Sequence, residues 1–288
     1  MMNKRIFATT ILFLCSVAWG LQQEPQTQAP PPVLEKIGAE MCLVCHDTFT
    51  SVKRTPHASI ECEACHGAGS LHVESGDLSL SFKNKSFGWV KDQCQSCHRQ
   101  APHLSSFARS SHARGMVSCA SCHQAHPEQA LAGLLAKAEK DLCAGCHQDS
   151  AAQFRKPYHH PVLEGAMDCS DCHTPHSEDL RRQRGLAIGT EPQCVSCHAD
   201  KKGPFVFEHA ALESGGCQSC HQPHGSVNPK MLVRSQVGQL CLECHSMTAG
   251  TAGSQPFAFH NLRSPRFREC TVCHRAIHGS NVSTFLLR

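Results

Sequence analysis

The chain has 288 residues, enough for one or two ordinary globular domains, but its composition excludes an ordinary hydrophobic core. It carries 21 Cys and 22 His, while Leu, Ile, Val and Phe supply only 50 of the 268 residues after position 20, a share at which a chain normally stays disordered. The formal charge of +3 falls to +1 once Lys4 and Arg5 are set aside, and no basic face points to nucleic acid.

Residues 1–20 read as a secretory signal peptide. Lys4 and Arg5 form its charged start, Ile6 to Val17 its apolar run, and Ala18-Trp19-Gly20 a small-x-small cleavage site. The run is too short to span a membrane. Cys15 lies within it, and Phe13-Leu14 before that Cys do not fit a lipoprotein signal. Residues 21–35 are a Pro/Gln-rich leader, flexible or extended. The rest, 36–288, has no alternating strand pattern and reads as short helices and coil. Several helices should end at a Cys, as in Ala138-Glu-Lys-Asp-Leu-Cys143 and Gln236-Val-Gly-Gln-Leu-Cys241, and the longest is expected over Pro127 to Cys143.

Each of the twenty Cys after Cys15 belongs to a Cys-x-x-Cys-His unit. In chain order the units are Cys42, Cys45, His46; Cys62, Cys65, His66; Cys94, Cys97, His98; Cys119, Cys122, His123; Cys143, Cys146, His147; Cys169, Cys172, His173; Cys194, Cys197, His198; Cys217, Cys220, His221; Cys241, Cys244, His245; and Cys270, Cys273, His274. A disulfide framework gives no reason for His to follow every second Cys. A zinc ribbon needs neither that His nor ten copies. Covalent c-type haem needs both: two thioethers anchor the porphyrin and the adjacent His becomes the proximal iron ligand. Export agrees, because c-type haem is attached outside the cytoplasm.

Twelve His remain. The odd-numbered units start at 42, 94, 143, 194 and 241, which divides the chain into five two-haem repeats, about 36–90, 91–138, 139–188, 189–236 and 237–288. Each repeat runs haem unit, lone His, haem unit, trailing His. The lone set is His57, His112, His160, His209 and His260; the trailing set is His72, His126, His176, His224 and His278. These ten supply one distal ligand per iron, giving six-coordinate bis-His haems of low potential with no vacant position for substrate. A lone His is expected to loop over the haem of the unit that follows it. A trailing His is expected to serve the first haem of its own repeat, which closes the count within one chain. His103 and His159 are left as solvated spares, and the Met, at no consistent place in the repeat, as gap fillers.

One haem per 27 residues leaves too little protein to wrap each alone, so the porphyrins must pack together and serve as the core. Their twenty propionates give the 25 Lys and Arg after position 20 a structural task, and Arg181-Arg-Gln-Arg184 reads as a propionate neighbour or a solvated face. Closely coupled haems should titrate with a spread of macroscopic potentials.

Ten haem motifs in a short exported chain, with CHxPH and HHPVxEG around the middle repeats, resemble the periplasmic decahaem cytochromes of porin–cytochrome conduits (MtrA/DmsE-type) over residues 36–280. The second unit departs with CHGAGSLH and the tenth with CHRAIH, so His72 and His278 fit the pattern least well. The resemblance implies a multihaem cytochrome c fold with a linear stack of ten haems. It also implies an electron-transfer wire seated in an outer-membrane β-barrel porin, between periplasmic donor cytochromes and an extracellular multihaem cytochrome or terminal reductase, in a chain with no transmembrane helix of its own. Coil-rich backbone cannot face lipid, whereas a large barrel lumen is polar, and ten macrocycles end to end would exceed a bilayer of roughly 40–45 Å. A free periplasmic shuttle, a self-assembling cytochrome filament and a multihaem reductase stay open as alternatives.

Overall fold

The computed structural model describes residues 34–177, 192–245, 260 and 264–288. The signal peptide with Cys15, nearly all of the leader, Arg181 to Arg184 and Met247 lie outside the described residues.

Among the described residues there are short helices, turns and coil, with no strand; backbone pairing outside helices is limited to isolated bridges. Five hydrophobic side chains are buried there: Val90, Phe107, Ala113, Val162 and Val195. Side chains alone therefore make no continuous core, as the composition requires. Among the described residues no helix is long and apolar enough to cross a membrane.

Secondary structure alternates with the haem units. Odd units end on α-helices, Ala39–Cys45, Phe87–His98, Glu139–Ala144, Pro192–Cys197 and Val237–Leu242. Even units sit on single turns, α over Cys62–His66 and Cys119–Cys122 and 3-10 over Cys169–Asp171, Cys217–Ser219 and Cys270–Val272. The backbone bond recurs: His46 N–H donates to the Cys42 carbonyl at 3.0 Å, His147 to Cys143 at 2.9 Å and His274 to Cys270 at 2.9 Å. That one turn sets both sulfurs and the imidazole from a common origin.

Among the described residues the longest helix is Phe87–His98, not the expected 127–143 stretch. It starts well, with the Ser86 hydroxyl accepting from the Trp89 N–H. Pro127 and Gly133 instead help fold their segment back on the preceding unit. Gln124 N–H donates to the Leu134 carbonyl, Ala136 N–H to Cys122, and Gly133 and Leu134 take φ values of 63° and 55°. The same return recurs after two other even units, with Gln222 N–H on Met231 and Ala276 N–H on Leu286, and with φ of 55° at both acceptors. Met231 therefore does have a repeat position, matching Leu134 and Leu286.

Candidate haem-ligand array

The returning loops aim the imidazoles. His66 Nδ1 lies 2.9 Å from the Leu80 carbonyl, His123 Nδ1 2.7 Å from Gly133, His221 Nδ1 2.8 Å from Lys230 and His274 Nδ1 2.6 Å from Phe285. A carbonyl only accepts, so each Nδ1 carries the proton and Nε2 keeps its lone pair for a metal. His72 is aimed in the same way by the Asp77 carbonyl at 2.7 Å.

Each His of the ten units faces one of the ten predicted distal His, with ring centres 5.9 to 6.3 Å apart. Two imidazoles on one metal at about 2.0–2.1 Å each leave their ring centres roughly 6 Å apart. Every pair thus fits one iron. A continuous cavity of about 3680 Å³, lined by unit residues from Cys42 to His221, leaves room for the macrocycles.

The partners differ from the expected ones at eight of ten positions. At the ends the expectation agrees with the geometry: His46 faces His72 at 5.9 Å, and His274 faces His260 at 6.1 Å. Between them the pairing crosses every repeat boundary. Lone His57, His112, His160 and His209 face His98, His147, His198 and His245, the first unit of the next repeat. Trailing His126, His176, His224 and His278 face His66, His123, His173 and His221, the second unit of the preceding repeat. His160, chosen over His159 by alignment with His209, is the one that faces a unit His.

Short straps impose the crossing. Tyr158, two residues before His160, bridges to Ser226, two residues after His224; Phe207 bridges to Ser280 in the same relation to His209 and His278. The His160 Nδ1 sits 2.7 Å from the Pro223 carbonyl and the His112 Nδ1 3.2 Å from Pro175, so the Pro of CHxPH anchors the lone His of the preceding repeat. Ser226 and Ser280 are buried; Ser226 Oγ donates to the Leu232 carbonyl at 2.7 Å, and Ser280 Oγ to Arg288. The signal was present in the sequence as His-Gly-Ser at 224–226 and 278–280, and it makes His278 the counterpart of His224 despite the irregular CHRAIH.

Burial holds His126, His176, His209 and His224 below the ordinary histidine range, and the facing imidazole adds to it; at His278 burial is followed by Lys201 and then His221. A ring kept neutral can donate its lone pair to iron. Phe side chains flank several rings, Phe82 at 5.1 Å from His66 and Phe154 at 5.0 Å from His224. The spares have partners of their own. His159 Nε2 pairs with Glu164 at 3.0 Å, which raises its pKa, and His103 lies 5.6 Å from the His176 ring.

Within a repeat, first Cys meets first Cys, as in Cys42 with Cys62, Cys94 with Cys119, Cys143 with Cys169 and Cys241 with Cys270. Across repeats, second Cys senses second Cys through charge, as Cys65 does Cys97, Cys122 does Cys146, Cys172 does Cys197 and Cys220 does Cys244. Glu139 joins the Cys143–Cys169 pair in a metal-sized cluster, but its carboxylate is taken by Ser170 N–H and Oγ, and both sulfurs belong to haem units.

Residues 110–152, 159–203 and 209–250 match the doubled CXXCH motif family. Each stretch opens at or just before a lone His and closes after the unit it faces, so the family unit straddles the boundaries of the two-haem repeats. The chain is 35% identical over 272 residues to the multiheme cytochrome MtrA of Shewanella baltica, covering 85% of this chain and 79% of that protein. It is also 31% identical over 121 residues to the cytochrome c-type protein NrfB of Escherichia coli, 38% of this chain and 64% of that protein.

Proposed function

The chain belongs to the MtrA-like multihaem c-type cytochromes, with covalently bound haem c, and we propose that it is a ten-haem electron-transfer wire in which every iron is held between one facing imidazole pair. Haem iron supplies reversible one-electron chemistry at a potential set by its axial ligands. The chain supplies everything else. The His of each unit would hold the iron from one side and the crossed or terminal His from the other, and carbonyls at Leu80, Gly133, Lys230 and Phe285 hold their rings in the metal-binding tautomer. An iron so held would keep no position for substrate, which supports a carrier rather than an enzyme.

The observation that carries the reading is the completeness of the pairing: ten units and ten facing imidazoles. Electrons would then pass from haem to haem in the order of the sequence. Met ligands would raise the potentials; bis-His ligation keeps them low.

A β-barrel porin of the outer membrane is the sheath that fits. Coil-rich backbone needs a polar surround, and no helix of the described residues can span a bilayer. On this reading residues 1–20 direct export, and the mature chain takes electrons from periplasmic donor cytochromes and passes them to an extracellular multihaem cytochrome or terminal reductase.

The test is reconstitution. The chain is extracted gently with any barrel protein that copurifies, and both are placed in liposomes holding a redox dye. Reductant added outside should reduce the dye within. No dye reduction would overturn the transmembrane role, and recovery of free monomer alone would favour a periplasmic shuttle. One high-spin iron in the purified protein would restore the reductase reading.

A further inference from the structure

Glu63 sits between the two Cys of the second unit, where the other nine units carry Leu43, Gln95, Ala120, Ala144, Ser170, Val195, Gln218, Leu242 and Thr271. It is the one charged residue at that position. It is 6% exposed, and among the described residues no salt bridge compensates it. Three backbone donors do: Ile37 N–H reaches Oε1 at 2.9 Å, Gly69 N–H reaches Oε1 at 2.8 Å and Gly38 N–H reaches Oε2 at 3.0 Å. A buried carboxylate with three such donors is a rigid fixture, because losing any of them strands a buried charge.

The donors belong to two different elements. Gly38 caps the helix Ala39–Cys45, which ends at His46; Gly69 caps the helix Ser70–Ser75, which carries His72. Those are the two imidazoles that face each other across the first haem position. Gly69, of the irregular CHGAGSLH stretch, is what lies against the carboxylate. A Cβ on Gly69 would stand 3.3 Å from Glu63 Oε1 and 3.1 Å from Ile37 Cδ1, closer than ordinary packing.

We propose that Glu63 is the positioning residue of the first haem: a carboxylate in the second haem unit that sets the distance and angle between His46 and His72 by holding the starts of both helices that bear them. The proposal rests on the ligand reading above, and it gives the irregular second unit a task. Each interior iron is closed by a His from an adjoining repeat, whereas the first iron takes both ligands from its own repeat. Glu63 stands where that substitute closure is made.

The experiment uses the full exported chain carrying Glu63→Gln or Glu63→Ala, with His72→Ala for comparison, each checked by mass for ten haems. Spin state is followed by EPR and potentials by redox titration. His72→Ala should turn one haem of ten high-spin. The Glu63 variants should convert a fraction of that same haem, or displace its potential, and should add nothing in the His72→Ala background. Gln, which keeps one acceptor, should act more weakly than Ala. If both Glu63 variants keep ten low-spin haems at unchanged potentials while His72→Ala opens one, the positioning role is refuted and the ligand reading stands. If His72→Ala leaves every iron low-spin, the ligand reading itself fails. Loss of a haem from the mass of both Glu63 variants would also refute the proposal, assigning Glu63 to attachment instead.

Discussion

At the scale of single residues, chemistry is divided between groups that bind and groups that aim. Glu63 shows the balance in its ionisation: burial pushes its carboxyl up, but the N–H donors of Gly38, Ile37 and Gly69, with Lys36 nearby, outweigh it and leave the group below the usual carboxylate range. A carboxylate depressed on folding contributes stability that is present above the unfolded value, about 4.3, and lost as pH falls through the folded one. The protection factors of the Ile37, Gly38 and Gly69 amides should accordingly be high at neutral pH and fall as the pH drops through the folded value, below about 4.3. In Glu63→Gln the same amides should exchange faster at neutral pH with no such acid step. The crossed pairing makes an equally local prediction. His112→Ala should open one iron to a high-spin state, and removing the haem of the fifth unit with Cys143→Ala and Cys146→Ala should abolish that signal. Persistence of the signal would give His112 to His123, the haem of its own repeat.

At the scale of elements, the straps that carry lone and trailing His past each other decide the topology, and they depend on tight backbone approach. Gly225 has φ +148°, and a Cβ there would lie 2.3 Å from the Gln153 carbonyl oxygen. Gly279, φ +139°, would put a Cβ into the Phe205 ring. Gly225→Ala should therefore lower the thermal midpoint, with a cost of about 1–3 kcal/mol from overpacking, while Gly88→Ala, in open space within the helix Phe87–His98, should raise it slightly. These elements also mark the limit of what sequence makes legible. The haem units, their number and the ten distal His stand out because the chemistry demands fixed residue types at fixed spacing. The choice of partner does not, because it is made by bridges such as Tyr158 with Ser226, between residues 68 positions apart whose types carry no pairing rule. The 127–143 segment misleads for a related reason: its alanines and leucines favour helix locally, yet its backbone is taken up by contacts with Gln124 and Cys122.

At the scale of the whole molecule, a folded shape without a side-chain core follows from letting cofactors supply the apolar interior, and the crossed pairs bind each repeat to the next twice over. That interlock has a consequence for length. Every interior boundary shows the same reciprocal facing of His rings, and on the proposed ligation only the outermost irons would take a ligand of their own repeat, His72 at one end and His260 at the other. A whole repeat can then be gained or lost from the middle without orphaning an iron, because the flanking lone and trailing His meet the new neighbours in the old relation. Removing 143–193 would leave Leu142 followed by Cys194, with His112 opposite His198 and His224 opposite His123. Such a chain should mature with eight haems by mass and no high-spin iron, whereas cutting after residue 193 should leave the haem on His173 open for want of His224. Copy number is free to vary under this arrangement, and the span an electron crosses becomes something that duplication and deletion can adjust in steps of two haems.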